Sequence, residues 1–520
     1  MRSTDLTRVL STALAVAGLA AADNQCSNGR TKNLINVSTT NGAVTGHVAP
    51  GTSCVIEYLG IPYAKPPVGN LRFAAPQPID SQSAYVAANF GADCPLSASK
   101  PVDYPDFTPQ AQRVINNFAS AAGTPQSEDC LTLNIWSHAT PKAMAKKKPV
   151  LVFFYGGRFS IGNTNSPMYN GKHFAEAQDI VVVTVNYRTN IFGFPGAPGD
   201  VQNLGLRDQR AAVEWLRQNV ARFGGDANRI VLAGQSSGGV AADYWSYAYE
   251  QDPIAAGLIL TSGTAFSFPL NAVETLTKNW ETVVAAVGCA APNATTPTTM
   301  ACMRAVPWED IKAASAKVKP SASGSVLRSI PAFYPQIDNE IVFPDYMDRT
   351  AAGRFAKLPI FAGNNHNEAG YYRIPAYGNG GVIPTDAQVA AFHMESASRR
   401  GGYRFLADWE NTRLFPTSGA YHGVDLHMVF GGSEESSGIA PSEEQKGLTQ
   451  VVQSAWFEFA ADPWEGLERE MGWPKWADGK ASFVVLGKDN VGTATLVKPA
   501  EFDAECGSVT MGAIGSSGTM

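Results

Sequence analysis

Beyond residue 22 the 520-residue sequence has no run of about eighteen uninterrupted apolar residues, which excludes a membrane-spanning helix of ordinary length there. It has no cationic excess: 40 Lys and Arg face 46 Asp and Glu, for a net charge of -6. Such a chain offers no electrostatic footprint to nucleic acid. Histidine is sparse at seven residues, and no Cys/His cluster has zinc spacing. His422 and His427 are not at i,i+4, so neither a metal nor an organic cofactor is expected. There is no internal repeat, and no linker divides the chain.

What is present starts with an amino-terminal leader. Arg2 and Arg8 supply positive charge, Val9 to Leu19 is apolar and small, and Ala20-Ala21-Ala22 offers an A-x-A cleavage site. This pattern predicts a signal peptide over residues 1–22 and an extracellular protein. A membrane anchor is the alternative, but the stretch is too short to span comfortably. Residues 23–510 are expected to form one α/β domain, and the Gly/Ser-rich residues 511–520 a flexible tail. In an oxidising compartment most of the seven cysteines should pair. Cys289 and Cys302 bracket a short loop and Cys94 and Cys130 a longer one, which leaves Cys26, Cys54 and Cys506. Asn36-Val37-Ser38 and Asn293-Ala294-Thr295 are glycosylation acceptors.

Apolar, β-branched runs alternate with helical stretches. Val150 to Tyr155, Ile180 to Asn186, Ile230 to Ala233, Gly257 to Thr261, Pro359 to Ala362 and Tyr403 to Ala407 read as strands. Arg210, Ala211, Val213, Trp215 and Leu216 mark a helix between two of them. Strands alternating with helices imply a mainly parallel sheet flanked by helices on both faces.

One turn in that pattern carries chemistry. Gly234-Gln235-Ser236-Ser237-Gly238 follows the apolar run ending at Ala233 and opens onto a helix. In strand–turn–helix context, G-x-S-x-G is a nucleophile elbow. The pentapeptide alone is weak, recurring by chance in roughly one of every two or three chains this rich in glycine. Its company strengthens it. A serine nucleophile needs a base, a group that orients the base, and donors for the oxyanion. Glu368 and His422 follow in the order acid then histidine, each in a loop after an apparent strand. His427 is the local competitor, but it lies in an apolar run and reads as structural. The Ser237 amide and the Gly156-Gly157-Arg158 turn are the candidate oxyanion donors.

Several further motifs share one order. They include Gly60-Ile61-Pro62-Tyr63-Ala64, Glu128-Asp129-Cys130-Leu131-Thr132-Leu133-Asn134, Asn203-Leu204-Gly205-Leu206-Arg207-Asp208-Gln209 and Phe223-Gly224-Gly225-Asp226. On these residues the chain resembles the type-B carboxylesterase and lipase family, which includes the cholinesterases. The resemblance implies an α/β-hydrolase fold and a triad of Ser236, Glu368 and His422. It implies oxyanion donors at Gly157, Arg158 and Ser237. It also implies disulfides Cys94–Cys130 and Cys289–Cys302, and structural ion pairs Arg72–Glu128 and Arg188–Asp208. Ser262 and Asp425 would support the acid and the histidine from behind.

The chain departs from the family at four places. Arg158 replaces a third glycine. A negative φ there, with the side chain facing solvent or a carboxylate, is the simpler expectation; a contact with a substrate anion is the alternative. Gln235 stands where cholinesterases carry glutamate, and the Cys94–Cys130 loop has no tryptophan, which disfavours choline esters. That loop holds Ala111, Val114, Ile115 and Phe118 on one helical face, either a mobile lid or a fixed wall. The interval from Glu368 to His422 is short for the family. The expected activity is hydrolysis of a small-molecule or lipid carboxylic ester, with a lipid–water interface as a further partner. A non-catalytic adhesion module and an amidase on the same scaffold are the rivals.

Overall fold

A computed structural model describes residues 35–503, apart from residues 99, 121–122, 140–146, 268–269, 291–295, 323–326, 328, 380, 386–387, 389–401 and 478. The leader, the Asn293 sequon, Cys26, Cys506 and the 511–520 tail therefore lie outside the described residues.

Segments rich in valine, isoleucine and phenylalanine pair side by side, and this sheet frames everything else. Its strands are β1 (His47–Val48), β2 (Val55–Pro62), β3 (Thr132–His138), β4 (Lys148–Phe154), β5 (Val181–Val185), β6 (Gly225–Gln235), β7 (Gly257–Thr261), β8 (Ile360–Asn365), β9 (Tyr403–Phe405), β10 (Phe483–Leu486) and β11 (Ala494–Val497). Their order in space is β1-β2-β3-β5-β4-β6-β7-β8-β9-β10-β11. From β5 to β10 every neighbouring pair is parallel, while both ends of the sheet are antiparallel. Every residue of β4, β5 and β7 is buried, as expected for strands covered on both faces. The mainly parallel, helix-flanked sheet anticipated from the alternating runs is thus present.

Six helices matter for the site: α1 (Ala111–Phe118), α2 (Leu204–Asn219), α3 (Ser237–Ala248), α4 (Ala369–Gly378), α5 (Leu426–Phe430) and α6 (Glu443–Ala461). Helix α2 buries Ala212, Val213, Trp215 and Leu216 along one stripe. Ser442 caps α6 by accepting the Gln445 amide at 3.2 Å. Helices α3 and α6 both pack on β4, β6 and β7, and so fix the carboxyl ends of those strands, where open α/β sheets hold their ligands.

Two buried ion pairs brace the fold. Arg72 and Glu128 form a two-pronged contact with both distances at 2.6 Å, and Arg188 holds Asp208 at 2.8 and 2.7 Å. Bidentate geometry offsets much of the cost of desolvating such ions. Disulfides join Cys94 to Cys130 and Cys289 to Cys302. Cys54 is disulfide-bonded as well.

Candidate active site

The elbow is tight because two glycines permit it. A Cβ on Gly234 would lie 2.2 Å from Gly238 backbone atoms, and one on Gly238 would lie 2.0 Å from the Phe154 carbonyl. Side chains at either place would push α3 off β4 and β6. Between them Ser236 adopts φ 57 and ψ -125. For a non-glycine residue this costs about 1–3 kcal/mol, a strain held by the packed strand and helix around it. The serine is buried at the carboxyl end of β6, with its amide bonded to the Thr261 carbonyl at 2.8 Å.

Glu368 begins α4 just past β8, and His422 lies in the loop before α5. The His422 Nδ1 pairs with Glu368 Oε2. The other carboxylate oxygen accepts from Ser262 Oγ at 2.6 Å and from the Asn365 amide at 2.8 Å. Burial alone would raise the Glu368 pKa. The adjoining His422 and these hydrogen bonds outweigh burial and hold it down at about 2. A carboxylate so held keeps the proton on Nδ1 and leaves Nε2 as an acceptor.

That acceptor faces the elbow. The Gln235 side-chain amide lies 3.0 Å from His422 Nε2, and the Gln235 Oε1 is buried without a partner among the described residues. The residue before the serine thus holds the lone pair that a serine proton would need. Nothing in the sequence pattern signals this contact, beyond the glutamine standing where cholinesterases carry a glutamate.

Across from the serine, the Gly156-Gly157-Arg158 turn comes close enough that a Cβ on Gly156 would sit 2.8 Å from the Ser236 Cβ. The amides of Gly157, Arg158 and Ser237 have no acceptor among the described residues. The next amide, of Phe159, donates to Ser237 Oγ at 3.2 Å and ties the turn to the helix start. Arg158 has φ 56, contrary to the negative φ expected. Left-handed backbone costs arginine about 1–2 kcal/mol that glycine would avoid. Nor does its guanidinium meet a carboxylate among the described residues.

Asp425 does not hydrogen-bond His422. It accepts from Asn365 Nδ2 at 3.0 Å, and its second oxygen has no partner among the described residues. Burial raises its pKa to about 6, with the nearby Glu368 charge adding to the rise. Asn365, which sequence reasoning passed over, therefore links the two acids: its amide serves Glu368 and its side chain serves Asp425. His427 is buried with neither ring nitrogen bonded to any described residue, and burial lowers its pKa to about 4. It takes no part in the site.

Aromatic rings roof the histidine. Tyr372 lies 5.1 Å from the His422 ring and Phe118, at the end of α1, 6.4 Å away. Phe118 meets Tyr371 edge to face at 4.8 Å. Gly423 has φ +87, and a Cβ there would lie 2.6 Å from Phe118, so only glycine lets the roof come this low. Helix α1 is tied at both ends. Gln110 donates to the Glu410 carbonyl at 2.6 Å and Asn117 to the Ser436 carbonyl at 3.0 Å. Asn36, the first sequon, is exposed at the start of a short strand away from the large sheet.

A strained serine at a strand–helix elbow, a glycine turn packed against it and a carboxylate-held imidazole in contact with the neighbouring Gln235 lie at the edge of a mainly parallel, helix-flanked sheet, the arrangement of an α/β-hydrolase. The chain belongs to the carboxylesterase family, whose model matches residues 33–388. It is 32% identical to a secreted lipase 5 of Gibberella zeae, over 84% of this chain and 87% of that protein. It is 30% identical to a chlorogenic acid esterase of Aspergillus niger (83% and 84%) and 31% identical to a cholinesterase of Mus musculus (85% and 71%). The chain is accordingly a carboxylic ester hydrolase.

Proposed function

We propose that Ser236, Glu368 and His422 are the catalytic triad, and that hydrolysis runs through an acyl-enzyme. His422 Nε2 takes the Ser236 proton as the hydroxyl attacks the ester carbonyl. Glu368 stabilises the imidazolium that forms. The amides of Gly157, Arg158 and Ser237 receive the oxyanion. His422 then returns its proton to the departing alcohol and activates the water that releases the acid. For Nε2 to accept the serine proton, the Gln235 amide must swing away or share the lone pair. Once the ring is charged, rotation of the same amide can present its unpartnered oxygen to it.

The observation that carries this reading is the Glu368–His422 pair, which reaches the elbow at Gln235, the residue before the strained serine. Ser236→Ala should lower kcat by several orders of magnitude and abolish labelling by a fluorophosphonate, with an unchanged melting temperature. Near-normal esterase activity in that variant would remove Ser236 from its role. Failure of the wild-type protein to label would also remove the serine nucleophile from the reading, and equal turnover of matched amides would extend the activity to amides.

Secretion belongs to the same proposal, supported by the leader pattern and the name of the fungal lipase. As for substrate, the tethers on α1 support a fixed wall over a site for soluble esters. A role at a lipid–water interface would require those hydrogen bonds to break.

A further inference from the structure

Two buried oxygens near His422 lack a donor, and they sit on side chains that already share one hydrogen bond. Asn365 Nδ2 donates to the Tyr421 carbonyl at 2.9 Å and to Asp425 Oδ1 at 3.0 Å. Two acceptors on that nitrogen fix which way the amide points. Asn365 Oδ1 and Asp425 Oδ2 are each buried and find no partner among the described residues. Orphan acceptors at this depth are costly, and a carboxylate can relieve neither, because it only accepts. A neutral carboxylic acid relieves both with a single proton. Asp425 Oδ2–H then donates to Asn365 Oδ1, while Asn365 Nδ2 donates back to Asp425 Oδ1, closing an acid–amide pair.

Resting on the triad reading, we propose that Asp425 is held as a neutral acid, paired to Asn365 through that proton, and that the pair is the positioning device for His422. It joins the two loops whose separation matters. Asn365 ends β8, and its backbone amide holds Glu368 at 2.8 Å. Tyr421 and Asp425, both bonded to its side chain, flank His422 along the chain. A closed pair therefore sets where Nδ1 meets the Glu368 carboxylate. Charge argues the same way. Around Asp425 stand Glu368, His422 and the buried phenols of Tyr169, Tyr403 and Tyr421, and no described lysine or arginine pairs with it. An ionised Asp425 would be a buried anion without a cation of its own, competing with Glu368 for the imidazolium. Burial raises its carboxyl to about 6; the Asn365 Nδ2 donor opposes the rise and the Glu368 charge adds to it. A proton donated to Asn365 Oδ1 favours the neutral form further.

Infrared difference spectroscopy reads the proton directly. Wild type minus Asp425→Asn at pH 7 should show the carbonyl stretch of a protonated carboxylic acid, shifting in D₂O; the subtraction removes every other buried acid. Absence of that band would overturn the proposal. Kinetics read the positioning. Asp425→Ala opens the pair and should lower kcat for p-nitrophenyl butyrate by about ten- to a hundredfold. Asp425→Asn, whose NH₂ can donate to Asn365 Oδ1 as the acid proton does, should restore kcat to within a few-fold of wild type. At alkaline pH, where Asp425 ionises, wild type should lose kcat that Asp425→Asn keeps, a change of pH profile that a merely structural aspartate would not give. Equal losses in the alanine and asparagine variants would show that a carboxylate is required, and would overturn the proposal, as would undiminished kcat in folded Asp425→Ala. Should the alanine variant fail to fold, the infrared arm still decides, because it uses only the isosteric variant. Fluorophosphonate labelling of Ser236 tests the triad apart from the infrared result, so the two readings fail independently.

Discussion

Replacing Glu368 by glutamine is the sharpest probe of how this site works, because the substitution changes charge and hydrogen-bond sense while keeping shape. In the native protein His422 and the surrounding donors hold the Glu368 pKa at about 2, against an ordinary value of 4.5. A gap of that size corresponds to about 3 kcal/mol of preference for the charged state, or a few hundredfold in an equilibrium. Much of that preference is the attraction that stabilises the imidazolium. The second effect concerns the tautomer. In the variant, one amide position can keep the Ser262 and Asn365 donors as an oxygen. The other then presents NH₂ to Nδ1, so the ring must accept there and carry its proton on Nε2. That ring cannot take a proton from serine. The two effects together should lower kcat for p-nitrophenyl butyrate by about 10²–10⁴, with KM little changed. Stability gives an independent readout. A depressed carboxylate pKa contributes stability that is present above 4.5 and lost as pH falls toward about 2. The variant should therefore lose less stability than wild type across that window. A kcat loss under about tenfold in a folded variant would refute the reasoning.

Two further outcomes are expected. If α1 is a fixed wall, activity on a medium-chain ester should saturate smoothly through the solubility limit; a jump at the limit, flattened by Phe118→Ser, would make it a lid instead. Asp243, in the elbow helix, accepts the Ala265 amide at 2.7 Å, and burial pushes its pKa from 3.8 up to about 6. Here the sign is opposite to that of Glu368: the native state holds a proton the unfolded chain has lost, so stability falls as pH rises from 3.8 to about 6. Asp243→Asn keeps an acceptor without the charge, and should be more stable than wild type at pH 8 by up to about 3 kcal/mol. Equal denaturant midpoints at pH 4 and pH 8 for the pair of proteins would count against it.

The sequence by itself determined the frame and the parts set by neighbours along the chain. The β-branched apolar runs at Val181–Val185 and Gly257–Thr261 read as strands covered on both faces, and they are. Glycines two residues either side of Ser236 dictated the elbow, since the constraint that strand and helix nearly touch there is local. The order of Ser236, Glu368 and His422 along the chain is read directly from the sequence, and their joint role is the proposal made above. What the tertiary structure decided lies between residues far apart. Gln235 and His422 are 187 positions apart, and only the docking of the α5 loop on the elbow brings the glutamine to Nε2. Asp425 matched a supporting position by pattern, but its partner proved to be Asn365, across 60 positions. The sign of φ at Arg158 depends on how the Gly156-Gly157-Arg158 turn is pressed onto β6 and α3, and no local preference of arginine would give it. Sequence spacing sets what a chain can do within a turn or a strand; contacts between turns are set by how the sheet stacks them.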